Sequence, residues 1–292
     1  MSIRFSQQYA APFVRPEECA QLQPMVNAAH ELLISHSGAG SDFLGWTTLP
    51  EDYDRAEFAR IKAAGKLTVG LEGDWQPFSY HDASDALVGY DVEVAKELAK
   101  RLGVEIEIAE APWDGLFAGM SSGRYDLVVN GVDATPDRAE TFDFSTPYAY
   151  DHTVLIVPAA NTDITAFEDL KGRTTANSIG STYQEIGEQY GAAVKGVDTL
   201  VETLTMVING QVDATINAST SFGDYMKANP TAPLKVAATA GEATQYIIPL
   251  VKGEDNATLL AAVNEALAAM RADGTLKALS EKYFSADLTT EN

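Results

Sequence analysis

The chain has 292 residues, of which 46% are hydrophobic and 21% are charged. This composition is typical of a folded protein, and at about 150 residues per domain the length predicts two compact units. The 42 acidic residues outnumber the 20 basic ones and give a formal net charge of -22. This charge argues against nucleic acid and anionic lipid as partners, because both require a basic surface.

Residue types that carry catalysis or bind metals are sparse. Cys19 is the single cysteine, which excludes an intrachain disulfide and a cysteine zinc cluster. The four histidines have no paired metal-ligand spacing, and neither a GxSxG elbow nor a phosphate-binding glycine loop occurs. We expect no metal, no cofactor and no catalytic residues. No apolar run reaches the roughly 18 residues of a membrane helix, and the N-terminus lacks the apolar core of a secretory signal.

The N-terminal segment, residues 1–64, differs from the rest of the chain. Apolar residues spaced for one helical face predict a helix over 16–36, and a second helix is predicted to end at Gly65 with Phe58 and Ile61 on its apolar face. Because this segment is too short to bury a core alone, we expect it to dock on the rest of the chain, on another subunit or on another domain.

From Leu67 to Phe284, short apolar strands alternate with amphipathic helices, which predicts an α/β architecture with largely parallel sheets. The first block contains, in order, a strand over 67–71, a helix after Gly89 capped by Asp91 and ended by Gly103, a strand over 104–109, a helix over 113–123 and a buried strand over 125–131.

A second block repeats this alternation after residue 152. Its predicted elements are strands over 153–157 and 174–178, helices from Thr182 and over 201–208, a strand over 212–217, a helix, and a strand over 234–238. The apolar run 246–251 and two final helices then predict a return to the first block. We expect hinge strands near 148–152 and 245–249, and a cleft that closes on a ligand.

Polar residues follow the buried strand that ends at Asn130 and Gly131. The next loop carries Asp133 and Arg138 toward the carboxyl edge of the sheet, where ligands of open α/β sheets bind. An arginine at this edge can hold a carboxylate through two parallel hydrogen bonds. The alternative is that Arg138 forms a surface ion pair with a neighbouring acid.

A second candidate is the turn Gly180–Ser181–Thr182 at the start of a predicted helix. Its hydroxyl groups and the first free amides of the helix can bind an anion, although an ordinary helix cap has the same sequence.

Aromatic and acidic residues at strand ends are the third candidate. Trp75 and Trp113 each follow a strand, where an indole can stack on a ligand or fill the core. Glu72 can meet a ligand ammonium group or remain solvated. If Glu72 and Asp133 converge, the pair can also do acid and base work, which leaves an enzyme as a rival interpretation.

Six motifs between about Lys66 and Phe284 resemble, in order and spacing, the polar amino-acid-binding proteins of ABC transporters. They are LTVGLEGDWQPFSY, LVGYDVEVAKELAKRLG, GRYDLVVNGVDATPDRAETFDFSTPY, LKGRTTANSIGSTYQE, GQVDATIN and ADGTLKALSEKYF. The resemblance implies a two-lobed type II periplasmic-binding fold, with lobe I over 66–150 and 247–287 and lobe II over 151–246. It also implies a monomer that is not an enzyme and that delivers an amino acid to ABC permease subunits. Its compartment would be extracellular or periplasmic, or cytoplasmic for this form without a signal.

The resemblance further implies roles for single residues. The ligand carboxylate would meet Arg138 and the Gly180–Ser181–Thr182 turn. The other ligand-binding positions that it implies are Glu72, Trp75, Trp113, Asn130, Gly131, Asp133 and Asn217. Two departures matter, because the family usually has Thr or Ser at Asp133 and an ammonium-binding aspartate at Ala218. They favour a polar, cystine-like or cationic amino acid over glutamate.

Residues 3–64 have a separate resemblance, carried by SGAGSDFLGW, LPEDYD and EFARIKAA. These motifs are similar to the N-terminal stretch of bacterial glucose-6-phosphate isomerase. Isomerase activity is not expected, because the solute-binding sequence replaces the later catalytic stretches. A dehydratase on the same scaffold, or a sensory module that signals through the N-terminal helices, are the rival functions.

Overall fold

The computed structural model describes residues 57–291. The predicted helix over 16–36, and all but the last eight residues of the isomerase-like segment, lie outside this range. Those last eight residues form helix α1, Glu57–Ala64. Ile61 on this helix is fully buried and Phe58 packs beside it in the core of the first lobe. The apolar face of α1 therefore docks on the rest of the chain, as one of the three alternatives predicted.

We use first lobe for residues 57–148 and 248–291. Its strands are β1 (Lys66–Leu71), β2 (Asp74–Trp75), β3 (Ser79–His81), β4 (Leu87–Val88), β5 (Glu105–Glu110), β6 (Leu127–Val128), β7 (Val132–Asp133), β8 (Phe142–Phe144) and, after the return of the chain, β16 (Pro249–Val251). Its other helices are α2 (Tyr90–Leu102), α3 (Trp113–Ser121), α4 (Pro136–Thr141), α8 (Ala257–Ala272) and α9 (Thr275–Phe284).

The second lobe comprises residues 152–243. Its strands are β10 (Thr153–Pro158), β11 (Thr174–Ser178), β12 (Ala193–Val197), β13 (Thr215–Ala218) and β14 (Leu234–Thr239), and its α-helices are α5 (Thr182–Gln189), α6 (Leu200–Ile208) and α7 (Ser219–Ala228). Two strands join the lobes: β9 (Ala149–Asp151) and β15 (Thr244–Ile247), which pair antiparallel. Both hinge strands fall where the sequence predicts them.

The central sheet of the first lobe is parallel, with β1 between β5 and β6. Strand β1 ends at Leu71. The segments that follow β1 and β6 carry Glu72, Asn130 and Gly131 toward the second lobe. A large core forms on one face of this sheet, where α2 packs on β1 and α8 packs on α2. Burial of this apolar surface fixes the strand ends that position the site.

The second lobe departs from the predicted parallel arrangement. Its central strand β10 is antiparallel to both β13 and β14, whereas β11 and β12 are parallel. The reason is that β10 continues directly from the hinge strand β9, so it enters the lobe in the opposite direction from the strands that follow helices. The alternation of helices and strands nevertheless confirms the α/β class.

One further local prediction is wrong, and one strand was missed. Helix α2 begins at Tyr90 after Gly89, and Asp91 is not its cap. Its fully buried carboxylate instead accepts a hydrogen bond of 2.8 Å from the Tyr148 hydroxyl. Strand β12 was not predicted, because only Val194 and Val197 are half-buried and Lys195 and Gly196 interrupt its apolar pattern. None of the helices in residues 57–291 combines the length and apolar character needed to cross a bilayer.

Candidate functional site

A cavity lies between the two lobes and is lined by residues from both. The fourteen lining residues are Glu72, Asp74, Trp75, Trp113, Gly131, Asp133, Ser178, Ser181, Thr182, Tyr183, Asp198, Thr199, Leu200 and Asn217. A cleft that joins a first-lobe strand edge to a second-lobe helix start is a common location for small-molecule sites in α/β proteins.

Eight of the eleven residues predicted from the sequence line this cavity. They are Glu72, Trp75, Trp113, Gly131, Asp133, Ser181, Thr182 and Asn217. The other three, Asn130, Arg138 and Gly180, lie beside it and are not among the lining residues. Each of these three supports a lining residue or a contact between the lobes.

Asn130 is fully buried behind Glu72 and binds it twice. Its side-chain amide donates to Glu72 Oε2 at 2.7 Å, and its Oδ1 accepts from the Glu72 amide at 2.8 Å. Burial nevertheless raises the pKa of Glu72 to about 7, against the lowering effect of the Asn130 hydrogen bond. The sequence alternative of a solvated Glu72 is wrong, since 8% of this residue is exposed. A cation bound nearby would lower the pKa of Glu72 and leave it ionised at neutral pH.

Gly131 positions the first aromatic wall. Its φ of 51° is in the left-handed region, and a Cβ built on it would lie 2.5 Å from two atoms of the Trp75 ring. Trp75 stacks on Phe78 with ring centroids 4.2 Å apart, and Phe78 itself is fully buried. A glycine at position 131 therefore lets the indole lie against the backbone with one face supported by the core.

Arg138 does not form the surface ion pair that was its alternative interpretation. Its guanidinium lies over the rings of Trp113 and Phe117, at 5.3 and 5.0 Å from their centroids. It donates to the Asp133 carbonyl in the first lobe at 3.1 Å and to the Gly180 carbonyl in the second at 3.4 Å. Arg138 therefore bridges the lobes behind the Trp113 wall.

Asp133 forms a second bridge between the lobes. It pairs with Tyr246 in the hinge sheet, and its Oδ2 accepts a hydrogen bond from the Thr182 hydroxyl of the second lobe. Burial raises the pKa of Asp133 to about 6, while the Thr182 hydrogen bond and the Arg138 charge oppose the rise. With both bridges formed, the two lobes are closed on one another.

The turn before α5 has the conformation that the sequence predicts. Gly180 has a φ of 72°, and the Ser181 hydroxyl caps the helix by accepting from the Gln184 amide at 3.2 Å. The ordinary capping role and the predicted site role are thus compatible, because the capped helix start also lines the cavity.

Sequence reasoning missed six lining residues. They are Asp74, Ser178, Tyr183, Asp198, Thr199 and Leu200. Asp198 and Thr199 follow β12, the strand that was not predicted, so their position at a strand end could not be seen. Thr199 also caps α6, accepting from the Glu202 amide at 3.2 Å.

Ala218 is buried at the end of β13, and Asn217 beside it lines the cavity. In residues 57–291 no three His, Cys, Asp or Glu side chains form a group that could hold a metal ion.

The chain matches the bacterial extracellular solute-binding proteins, family 3, over residues 67–286. It belongs to this family. The L-cystine-binding protein TcyA of Bacillus subtilis (strain 168) is 40% identical to this solute-binding protein over 233 residues, which cover 80% of the chain and 86% of TcyA.

Two solved structures share its type II periplasmic-binding fold. An ancestral arginine-binding protein bound to arginine is 34% identical, with a TM-score of 0.70 over 75% of this chain and 98% of that one. The unliganded, open L-cystine receptor of Neisseria gonorrhoeae is 39% identical, with a TM-score of 0.55 over 80% of this chain and 98% of that one. The lower score despite higher identity is consistent with the closed lobes of this solute-binding protein.

Proposed function

We propose that this solute-binding protein reversibly captures a polar or cystine-like amino acid in the cavity between its lobes. The observation that carries the proposal is the cavity itself, lined from both lobes by two indoles, several hydroxyl groups and four carboxyl groups. The similar proteins named above bind L-cystine or L-arginine. L-Arginine carries two positive groups and one carboxylate, and L-cystine carries two ammonium groups and two carboxylates. Each therefore offers positive groups to an acidic cleft and a carboxylate to an anion-binding helix start.

In this proposal, the ligand lies between Trp75 and Trp113, which cover its apolar portion. Glu72 and Asn217, which line the same cavity, receive its ammonium group. The Ser181–Thr182 end of α5 receives the carboxylate, with Arg138 as the supporting cation behind it. Arg138 retains unused N–H donors, because a guanidinium has five and the described contacts use two.

The chain then delivers its ligand to ABC permease subunits in the membrane, outside the cell or in the periplasm. We propose that it acts as a monomer and catalyses no reaction. The family carries the transport assignment, while the partner and the compartment are extensions of it to this chain.

Calorimetric titration of the full chain with L-cystine, L-arginine, L-glutamine and L-glutamate tests the function. We expect heat from cystine or arginine and weaker or absent binding of glutamate, which the acidic lining repels. A folded protein that binds none of the four would overturn the amino-acid assignment.

The rival enzyme needs the two acids to converge, and Glu72 and Asp133 do line one cavity. Incubation with prephenate and arogenate therefore accompanies the titration. Unchanged substrate supports capture without chemistry, whereas steady turnover that is lost in Glu72→Gln would favour a dehydratase.

A further inference from the structure

The charged residues that line the cavity all have the same sign. Glu72 and Asp74 come from the first lobe with Asp133, and Asp198 comes from the second. No lysine, arginine or histidine is among the lining residues in the described part of the chain. The surface offered to a ligand is therefore acidic, although the proposed function requires a ligand carboxylate to bind there.

The anion-binding end of α5 already contacts a carboxylate of the protein itself, that of Asp133. Thr182 is the first residue of α5 and donates its hydroxyl hydrogen to Asp133 Oδ2. The amides of a helix's first turn lack acceptors within the helix, and the macrodipole makes this end positive. Through the Thr182 hydroxyl, the Asp133 carboxylate thus lies beside the helix end that would attract an external anion.

Arg138 supports this arrangement and does not offset the acidity of the lining. Its guanidinium is bonded to the Asp133 and Gly180 carbonyls and lies over Trp113. From there its charge lowers the pKa of Asp133 and favours the ionised form. Arg138 therefore stabilises the Asp133 carboxylate, and a ligand carboxylate at the helix start would have to share this cation with it.

We propose that Asp133 is a specificity-determining residue: its carboxylate occupies the anion-binding end of α5, so the closed cleft selects ligands by their positive groups and a ligand carboxylate must compete with Asp133. The ligand class that fits best is an organic di-cation with a flat or apolar middle portion for Trp75 and Trp113. This inference rests on the proposed function, because it concerns ligand choice at the same site.

The test compares each amino acid with the amine that lacks its carboxylate, using L-arginine with agmatine and L-cystine with cystamine. Asp133→Asn is the variant of choice, since the Asn oxygen can still accept from Thr182 while the charge is removed. We expect the variant to shift the affinity ratio toward the amino acid by tenfold or more, through tighter amino-acid binding, weaker amine binding or both. Calorimetry on the full chain at low ionic strength measures all four ligands.

Asp163→Asn is the matched control, because it removes one carboxylate from an exposed position, where 69% of the side chain is accessible. It should leave both ratios unchanged. Asp133→Ser, which also removes the charge but shortens the side chain, should shift the ratios in the same direction if Asp133→Asn folds poorly.

The outcomes separate this inference from the proposed function. If Asp133→Asn weakens the amino acid and the amine by the same factor, Asp133 binds the ligand ammonium and the inference is wrong, while amino-acid capture stands. Unchanged ratios would also overturn it. If only the amines bind the wild type, the inference is supported and the amino-acid assignment fails. Absence of binding by all four ligands overturns both.

Discussion

Glu72 and Asp91 are buried carboxyl groups with no cationic partner among the described residues. Burial raises the pKa of Glu72 to about 7 and that of Asp91 to about 8. Tyr148 links Asp91 to the site, because its hydroxyl donates to Asp91 and accepts from the Gly131 amide at 3.0 Å. At neutral pH Asp91 therefore holds its proton, whereas Glu72 in the cavity is partly ionised.

These raised pKa values predict that stability falls as pH rises from about 5 to 8. Above about pH 5 the unfolded chain has lost both protons, whereas the folded chain keeps the Glu72 proton up to about pH 7 and the Asp91 proton up to about pH 8. Unfolding in this range releases protons and is therefore favoured by higher pH. For Glu72 alone the loss amounts to about 3 kcal/mol at most, and Glu72→Gln should remove that part of the slope. Urea unfolding across this pH range measures it.

The control is Glu140→Gln, which replaces an exposed glutamate and should leave the slope as in the wild type. A free energy of unfolding that increases from pH 5 to pH 8 would contradict the assignment of protonated, buried acids.

Single positions at strand ends could be predicted from the sequence better than their contacts. Trp75, Gly131 and Asp133 line the cavity. Their positions could be predicted because an aromatic residue, a glycine or an acid directly after an apolar run indicates the end of a strand. Asn130 carried the same signal but is buried behind Glu72. Which member of such a run faces the cleft depends on packing between strands, and local sequence does not contain that information.

Helix α7 is capped by a residue from the hinge rather than by its own N-cap residue, Ala218. Asp151 of β9 accepts from the Ser219 hydroxyl at 2.6 Å and from the hydroxyl and amide of Thr220 at 2.5 and 3.4 Å. The residue after it is also bonded, since the His152 amide donates to Asp151 Oδ1 at 2.6 Å. The hinge strand and the start of α7 are therefore one hydrogen-bonded unit.

Asp151→Ala should lower the free energy of unfolding by about 1–2 kcal/mol, the usual cost of a lost helix cap. Urea denaturation measures this, and Asp163→Ala, at an exposed position of the same lobe, is the control. Equal stability of the two variants would show that Asp151 does not stabilise α7.

Among the elements, β12 shows the limit of pattern reading. Ala193, Lys195 and Gly196 are exposed, so apolar periodicity marks few of its residues. Its place in the sheet comes from pairing with β11, residue by residue from Thr174 with Ala193 to Ser178 with Val197. Helices α2 and α8 were predicted closely, because their apolar faces repeat over three or more turns.

The two lobes are held closed by few direct bonds outside the hinge. Asp133 with Thr182 and Arg138 with Gly180 are the two side-chain bridges described above. A protein that must open again benefits from few bonds across the cleft, because the closed form is then stabilised more by contacts with the ligand than by contacts between the lobes. The sequence predicted a hinge, but the closed arrangement depends on contacts between residues 42 and 49 positions apart.

Thr182→Val should shift the protein toward the open form, since it removes the donor to Asp133 and leaves that carboxylate unpaired on closure. We expect a larger radius of gyration by small-angle X-ray scattering without ligand, and weaker ligand binding. Thr205→Val, at an exposed position on α6, is the control. The same radius and affinity in both variants would contradict a role for this bridge in closure.

The four carboxyl groups of the cavity also bear on how a bound solute leaves. A cationic solute offsets part of their negative charge while it is bound, and its departure leaves Asp74 of the first lobe and Asp198 of the second without that compensation. Their mutual repulsion then favours separation of the lobes. Loss of a cationic solute therefore weakens closure, so that unloading itself shifts the lobes toward the form that accepts the next molecule.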